Sequence, residues 1–240
     1  KQALIGRLMM RKCVSTAFSL PSNAITFGRS EKGKPILDKE LVKKLNTNYD
    51  FNVSHNGNFA VLAADCKRKV GVDVMNIEYK RSKELSEFFR LMNRQFSDDE
   101  WIFIRAADSD REKMSRFIRL WCLKESFVKA EGFGITVDLQ NISFICKTVE
   151  LSTKHITNDT LIRVNGSVLK NWVFEESLLD TNHCVAVAYE IQENENKTND
   201  SAAQLFQVLT FDKIIENVIE IHKSDDSVWD TFANKAESAT

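Results

Sequence analysis

The sequence contains no long apolar run and no cysteine arrangement that would build a cross-linked or zinc-bound framework. No stretch reaches the ~18 consecutive apolar residues that a membrane-spanning helix needs, so we expect no membrane span. The five cysteines are odd in number, lie more than 20 residues apart and form no C-x-x-C pair. This pattern argues against disulfides and zinc and is typical of a reducing compartment, so we expect a cytosolic protein.

The sequence also lacks the glycine-rich loops of common nucleotide-binding proteins and any overall excess of charge. Neither a G-x-G-x-x-G nor a Walker loop occurs, which disfavours the nucleotide-binding proteins that use such loops. The 33 basic and 34 acidic side chains leave a net charge of −1 and a pI of about 6.5, so we expect no nucleic-acid binding. Residues 1–50 nevertheless hold ten basic and four acidic side chains, and residues 191–240 hold four and ten. The basic end indicates contact with phosphate or an acidic partner, or else a solvated face.

Helical and strand-like patterns alternate along the chain. Apolar spacing and caps predict helices over residues 2–18, 82–92 and 109–131, and another that opens at a Ser97/Glu100 capping box. Alternating or short apolar runs predict strands over residues 25–29, 50–54, 59–64, 69–75, 142–146, 161–165, 171–175 and 183–189. This order of helix, strands, helices and strands indicates an α+β fold of two lobes with antiparallel sheets.

The pattern also suggests boundaries between parts of the chain. We expect an N-terminal lobe over residues 1–75, a C-terminal lobe over 76–191, a polar linker over 192–204 and a C-terminal extension over 205–240. Residues 205–221 are apolar enough for a strand or helix that docks back. The chain begins with Lys1 rather than methionine, so we expect a processed protein or a fragment.

The predicted helix over residues 109–131 carries a carboxylate on its apolar face. Glu125 lies four residues after Trp121 and three before Val128, so all three share one stripe. A carboxylate on a core-facing stripe is costly unless it is paired, hydrogen-bonded or metal-bound. Lys129 follows one turn later, and the alternative is an ordinary i,i+4 ion pair between Glu125 and Lys129.

A second carboxylate occupies the middle of a predicted strand. Within residues 70–75 the valines form one face, and Gly71, Asp73 and Met75 form the other. Aspartate is depleted in strands, and Gly71 leaves room for something to approach closely. A cation held by Asp73 and Glu125 would explain both carboxylates, since Mg²⁺ takes one or two carboxylates and completes its shell with water and substrate phosphates. The alternative is a salt bridge of Asp73 on an edge strand.

Two segments cluster groups suited to phosphate. Arg29, Lys32 and Lys34 flank Gly33, where charge and backbone N–H groups can hold an anion. The segment Asn52-Val53-Ser54-His55 ends a predicted strand before a turn and brings several donors together. The alternative is that the lone histidine of this segment is structural.

Taken in order, these motifs resemble the phosphopantetheinyl transferase family, in its large two-lobed class. The order is Gly33-Lys34-Pro35, Asn52-Val53-Ser54-His55, Gly71-Val72-Asp73, then Trp121-x-x-Lys124-Glu125-Ser126-x-x-Lys129, the most specific of the four. The resemblance covers residues 3–190. It implies two similar α+β lobes, a pseudo-dimer, with coenzyme A in the cleft between them. It also implies transfer of 4′-phosphopantetheine from coenzyme A to a serine hydroxyl of an acyl or peptidyl carrier domain, which releases adenosine 3′,5′-bisphosphate.

The same resemblance implies roles for individual residues. Asp73 and Glu125 match the ligands of Mg²⁺, and Glu125 also matches the residue proposed to deprotonate the serine, directly or through water. Lys129 matches the cation on the pyrophosphate and His55 a phosphate contact, so the catalytic set is Glu125, Lys129 and His55. The implied coenzyme A contacts are Arg29, Ser30, Glu31, Lys32, Gly33, Lys34, Asn52, Val53, Ser54, His55, Glu125 and Lys129.

Two features depart from the family pattern. Many bacterial members have a glutamate two residues after the metal-binding aspartate, and here that position is Met75, so water or another group must complete the metal shell. Members also carry several dozen residues before the helix that opens this chain, so we expect the N-terminal lobe to lack its first strands. The alternative function is a non-catalytic module that binds coenzyme A or a carrier protein.

The implied partners are coenzyme A and carrier domains of the fatty acid synthase and aminoadipate-semialdehyde dehydrogenase types, with the protein acting as a monomer. Carrier domains of this family's reaction are acidic beside the modified serine, so the docking surface should be locally positive. The candidates lie in and beside the predicted 82–92 helix (Lys80, Arg81, Lys83, Arg90 and Arg94) and around residues 111–116.

Overall fold

The computed structural model describes residues 2–78, 84–134, 138–192, 206–220 and 226–234. Within these ranges the helices are α1 Gln2–Phe18, α2 Lys39–Leu45, α3 Leu85–Leu91, α4 Asp98–Arg105, α5 Asp110–Glu131, α6 Phe211–Ile215 and α7 Asp226–Ala233. The strands are β1 Phe27–Arg29, β2 Pro35–Leu37, β3 Asp50–Asn56, β4 Phe59–Asp65, β5 Val70–Asn76, β6 Ile142–Ile145, β7 Leu161–Val164, β8 Ser167–Leu169, β9 Trp172–Asp180 and β10 His183–Glu190. Among the described helices, none is long and apolar enough to cross a membrane.

Side-chain caps set the first residues of α4 and α5. Ser97 at the start of α4 and Ser109 at the start of α5 each accept from the N–H group three residues on, and the glutamates there, Glu100 and Glu112, accept from the serine N–H in return. α5 ends at Gly132, whose φ of +70° is the left-handed conformation that favours glycine. The predicted helix over residues 109–131 is therefore confirmed.

Several short elements are not predicted from the sequence. α2 is one of them, although Asp38 caps it by accepting from the Glu40 N–H. β2 and β8 are three-residue strands that exist by pairing with β1 and β7. Of the predicted helix over residues 82–92, the structure shows the part that forms α3, Leu85–Leu91. The candidate docking residues Lys80, Arg81 and Lys83 lie outside the described residues.

Within the described ranges the strands form four antiparallel sheets, β1–β2, β3–β4, β5–β10–β9 and β6–β7–β8. α5 lies across one face of the β5–β10–β9 sheet, and the β3–β4 hairpin packs on the other face and along the free edge of β5. This arrangement of helices and small antiparallel sheets confirms the α+β fold class. Because β5 pairs with β10, one sheet joins the two segments expected as separate lobes, and a division at residue 75 stays a prediction.

Two apolar cores support this arrangement, and a third cluster, of the buried valines Val61, Val72, Val74 and Val185, lies between the β3–β4 hairpin and the central sheet. The larger one surrounds α5, whose buried residues Leu120, Leu123 and Phe127 pack with Phe96 and Phe174. The smaller one holds α1 against the first hairpins, and its buried members are Met10, Val14, Ile25, Leu37, Leu41 and Phe51. α5 therefore lies between the β5–β10–β9 sheet and the helices α3 and α4.

The chain after residue 205 returns to its N-terminal part. Phe206 packs against the valine cluster between β3–β4 and the central sheet, and Ile214 of α6 is only 4% exposed. The Ile219 N–H donates to Ser22 Oγ at 2.7 Å. This segment therefore docks back as the short helix α6, preceded by residues 206–210 outside any helix or strand. The expected linker lies almost wholly outside the described residues.

Candidate active site

α5 meets β5 backbone to backbone at Gly71. A Cβ built at Gly71 would lie 2.0 Å from Ser126 O and 2.5 Å from Ala130 N. The group that approaches Gly71 closely is therefore the backbone of α5. This contact sets Asp73 of β5 against the side chains of α5 that follow Glu125.

Asp73 is buried, at 4% exposure, and forms an ion pair across this contact. Its Oδ1 accepts from Lys129 Nζ at 2.6 Å and from Ser54 Oγ at 2.7 Å. Its Oδ2 has no hydrogen-bond partner among the described residues. The alternative of a salt bridge for Asp73 is confirmed, with Lys129 as partner. The alternative of a local pair between Glu125 and Lys129 is wrong, because the ammonium turns to the strand.

Glu125 lies half-buried beside that pair. Burial raises the pKa of its carboxyl group, the negative charge of Asp73 raises it further, and Lys129 lowers it. An unpartnered oxygen on Asp73 and repulsion between two carboxylates are features that a bound cation would relieve. No group of three or more His, Cys, Asp or Glu suited to a metal occurs in the described part of the chain. The two carboxylates fit Mg²⁺ if water and substrate phosphates supply the remaining oxygens.

β3 and β5 are joined by side chains rather than by a backbone ladder. Three β5 N–H groups donate to side-chain oxygens of β3 at 2.9–3.0 Å: Val70 to Asp50, Val72 to Asn52 and Asn76 to Asn56. These polar side chains satisfy an edge that would otherwise present open N–H groups. The predicted coenzyme A contact Asn52 therefore uses its amide oxygen within the protein.

Two lysines complete this seam between β3 and β5. Lys34 Nζ lies 2.7 Å from Asp50 Oδ2 and 3.3 Å from Val70 O, and Lys129 Nζ lies 3.4 Å from Val72 O. The charge of Lys34 is therefore already compensated by a carboxylate. Lys32, in the same hairpin, instead places its ammonium 5.9 Å from the centre of the Phe133 ring.

A cleft of about 700 Å³ opens beside the Asp73–Lys129 pair. Seven of the predicted coenzyme A contacts line it: Lys32, Gly33, Lys34, Asn52, Val53, Glu125 and Lys129. The other lining residues are Pro35, Arg94, Gln95, Trp121, Val128, Gly132, Gly134, Asp138 and Leu139. The structure therefore brings the β1–β2 turn, β3 and the motif on α5 to one cavity.

Six predicted site residues do not line this cleft: Arg29, Ser30, Glu31, Ser54, His55 and Asp73, which lies beside it in contact with Lys129. Arg29 donates to Gly33 O at 2.8 Å, and Ser30 Oγ accepts from the Lys34 N–H at 3.0 Å, so both shape the hairpin. Ser30 and Glu31 line a wider groove of about 1400 Å³ next to it. Ser54 lies behind the cleft against Asp73. His55 shares its face of β3 with Val53, which lines the cleft, but it is exposed at the end of the strand.

Sequence reasoning did not assign Gln95, Asp138 and Leu139 to the site, and it considered Arg94 only for docking. Arg94 and Gln95 belong to a 3-10 turn before α4, and Asp138 caps a second 3-10 turn at Leu139–Asn141. Such turns carry no periodic pattern, so no sequence feature marks them. Trp121 could be found, because it lies one turn before Glu125 on the same stripe.

Comparison with known proteins finds one family in both halves of the chain. Residues 1–67 match the family model described as 4′-phosphopantetheinyl transferase, N-terminal, and residues 69–188 match that of the 4′-phosphopantetheinyl transferase superfamily. The chain is 38% identical over 241 residues to the L-aminoadipate-semialdehyde dehydrogenase-phosphopantetheinyl transferase of Xenopus laevis, which covers 99% of this chain and 79% of that protein. It is 35% identical over 239 residues to the Homo sapiens protein of the same name, covering 97% and 77%. The 4′-phosphopantetheinyl transferase Sfp of Bacillus subtilis is 31% identical over 142 residues, 59% of this chain and 57% of that protein. These similarities confirm the resemblance that the motifs predicted.

Proposed function

The chain belongs to the 4′-phosphopantetheinyl transferase superfamily, and we propose that the cleft lined by Glu125 and Lys129 is where its reaction takes place. The chain transfers the 4′-phosphopantetheine moiety of coenzyme A to a serine hydroxyl of a carrier domain. The observation that carries the assignment to this cleft is the convergence of Asp73, Glu125 and Lys129 where α5 meets β5. Nothing favours the alternative of a non-catalytic binding module.

Asp73 and Glu125 are the proposed ligands of Mg²⁺. The Asp73 Oδ2 atom, buried and without a hydrogen-bond partner in the described ranges, supports this assignment, as does the raised pKa of Glu125. Mg²⁺, when bound, neutralises charge on the pyrophosphate of coenzyme A. The thioether of Met75 does not suit a hard cation, so oxygens from water and substrate would have to complete the shell.

Lys129 supplies positive charge from the protein itself. Its ammonium is held by Asp73 and Ser54 and also lines the cleft, where the pyrophosphate would lie. Phosphoryl transfer depends mainly on positioning and on neutralising charge. A cation that is already fixed by hydrogen bonds needs little rearrangement when the substrate binds.

Glu125 is the proposed general base. Burial raises the pKa of its carboxyl group in the protein alone, whereas bound Mg²⁺ would lower that pKa. Glu125 would therefore be a modest base whose efficiency depends on its position. The carboxylate would take the proton of the carrier serine, directly or through water, as the serine oxygen bonds to the phosphorus. The bond that breaks joins this phosphorus to the bridging oxygen, which leaves with adenosine 3′,5′-bisphosphate.

The β1–β2 hairpin is proposed to bind the adenosine 3′-phosphate region, through residues 29–34, and His55 to contact a phosphate. Among the cations of this hairpin, the geometry favours Lys32, because it lines the cleft while Asp50 already compensates Lys34. Asn52, Val53 and Ser54 would act mainly by shaping the site.

The docking surface for the carrier domain is proposed to lie at Arg90 and Arg94. Arg94 lines the cleft, and Arg90 lines a neighbouring depression of about 820 Å³. Neither forms a hydrogen bond or ion pair with the residues that the structure describes. Arg111 and Arg116, the other candidates, are engaged by backbone carbonyl groups. The carrier types, a monomeric state and a cytosolic location stay predictions.

Mass spectrometry of a carrier domain tests the site. The wild-type chain, with coenzyme A and Mg²⁺, should add the mass of one phosphopantetheine. Asp73→Asn and Glu125→Gln should each lower kcat by about 100-fold or more with little change in the circular dichroism spectrum. Glu131→Gln, on the same helix but paired with Lys69 outside the cleft, is the control and should retain activity. Near-wild-type turnover of either site variant would refute the site, and an unmodified carrier with the wild-type chain would refute the function.

The docking proposal has its own test. The double reversal Arg90→Glu and Arg94→Glu should raise the KM for the carrier domain, and added salt should mimic this effect on the wild type. The reversal Lys43→Glu and Lys44→Glu changes the net charge equally at exposed positions of α2, so it should not. Equal effects of the two reversals would place the docking surface elsewhere.

A further inference from the structure

A second buried ion pair lies behind the cleft, one residue from Glu125. Lys124 of α5 and Glu100 of α4 are both fully buried, at 0% exposure, and Lys124 Nζ lies 2.8 Å from Glu100 Oε2. An ammonium group has three N–H donors. Besides Glu100, Lys124 donates to the backbone carbonyl groups of Leu139, at 2.7 Å, and of Ile142.

Glu100 is bonded just as completely. Its Oε2 accepts from the Ser97 N–H at 2.9 Å, and its Oε1 accepts from the Phe144 N–H at 3.1 Å. The pair therefore connects α5 to the start of α4, to β6 and to the 3-10 turn that contains Leu139. No charged atom of the pair is left without a partner.

These connections reach three walls of the proposed active-site cleft. α5 contributes Glu125, the 3-10 turn at Leu139–Asn141 contributes Leu139, and the 3-10 turn Asn93–Gln95, which precedes Ser97 by two residues, contributes Arg94 and Gln95. A buried ion pair is weak evidence for stability, because the cost of desolvating both charges can exceed their attraction. Fixing the relative positions of these walls is a role that an apolar pair could not fill by the same directional bonds.

We propose that Lys124 and Glu100 are positioning residues for the transfer reaction, which hold α5 at the rotation and height that place Glu125 opposite Asp73. This inference rests on the proposed function of the cleft. Glu125 and Asp73 belong to different elements, so their separation depends on where α5 lies. Misplacement of a reacting group by about 1 Å can cost about 100-fold in rate.

The same helix provides a matched control. Arg119 and Glu176 form an equally buried pair, with Arg119 Nε 2.7 Å from Glu176 Oε2. Arg119 also donates to the carbonyl groups of Thr148 and Val149, as Lys124 does to its own carbonyl partners. None of these four residues lines the cleft. A merely structural role for buried pairs therefore predicts the same effect at both places.

The experiment compares the double variants Glu100→Gln with Lys124→Met, and Glu176→Gln with Arg119→Met. Each removes both charges and keeps a similar side-chain volume, so we expect similar falls in melting temperature. Only the variant at Lys124 and Glu100 should lose kcat, by about 100-fold, with the KM for coenzyme A within about threefold of wild type. We expect little change in the KM for coenzyme A, because most of the predicted coenzyme A contacts that line the cleft belong to the β1–β2 turn and β3.

Each outcome supports or overturns a positioning role for Lys124 and Glu100. A folded Lys124 and Glu100 double variant with a kcat near wild type overturns the inference, and so does an equal loss of kcat in the control variant. If that double variant does not fold, the near-isosteric Glu100→Gln alone replaces it, and a retained kcat there overturns the inference in the same way. A wild-type chain that leaves the carrier domain unmodified is instead a failure of the proposed function.

Discussion

Substitution of Gly71 by alanine probes how closely α5 must lie against β5. The new Cβ would lie 2.0 Å from Ser126 O, about 1.4 Å short of the shortest ordinary contact of 3.4 Å. The same Cβ would also lie 2.5 Å from Ala130 N. Both neighbours are backbone atoms of α5, so no side chain can rotate away. The helix must therefore move off the strand by about 1 Å or more.

The expected size of the effect follows from that displacement. Overpacking of this kind costs about 1–3 kcal/mol, occasionally more, and a backbone clash belongs at the upper end. About 3 kcal/mol corresponds to a fall in Tm of roughly 6–12 °C for a chain of this size. The displacement also separates Glu125 and Lys129 from Asp73, so kcat should fall by about 100-fold.

The assay combines thermal unfolding with turnover of a carrier domain. Gly28→Ala is the control, because its Cβ would meet only the Ile36 side chain, at 3.8 Å, and we expect a change within about 0.5 kcal/mol. A Gly71→Ala protein that melts with the wild type would refute the packing argument. A large fall in Tm with an unchanged kcat would keep the packing argument and refute its link to catalysis.

Three further outcomes are expected. Ile214→Ala should lower the free energy of unfolding by about 2–4 kcal/mol, whereas Val208→Ala, at an 87% exposed position, should not, and equal urea midpoints would show that α6 is not docked. A thiol reagent at mildly alkaline pH should label the exposed Cys66 first and Cys122 only after unfolding, because burial raises the pKa of the Cys122 thiol, and simultaneous labelling would contradict this. Lys32→Ala should weaken the binding of coenzyme A more than that of 3′-dephospho-coenzyme A, by the ~1.5–3 kcal/mol of one charge-assisted contact, because Lys32 lines the cleft, and equal weakening in calorimetry would move Lys32 away from the 3′-phosphate.

The elements that sequence predicts well are those with local determinants. α5 runs over the predicted residues because a capping box opens it at Ser109 and a left-handed glycine ends it at Gly132. The hairpin β3–β4 follows from alternation on both sides of a turn. The order of short motifs, up to the one that contains Glu125 and Lys129, was enough to indicate the family. All of this information lies within a few residues of the feature it predicts.

The partners of the site residues could be decided only by the tertiary structure. On sequence alone, the nearest partner for Lys129 was Glu125, one turn away, yet the ammonium pairs with Asp73, 56 residues earlier. Lys34 is likewise neutralised by Asp50, and the amide oxygen of Asn52 is used by β5. The physical reason is that an ion pair depends on which backbones come close, and Gly71, which allows α5 to lie on β5, acts through a contact that no local pattern records.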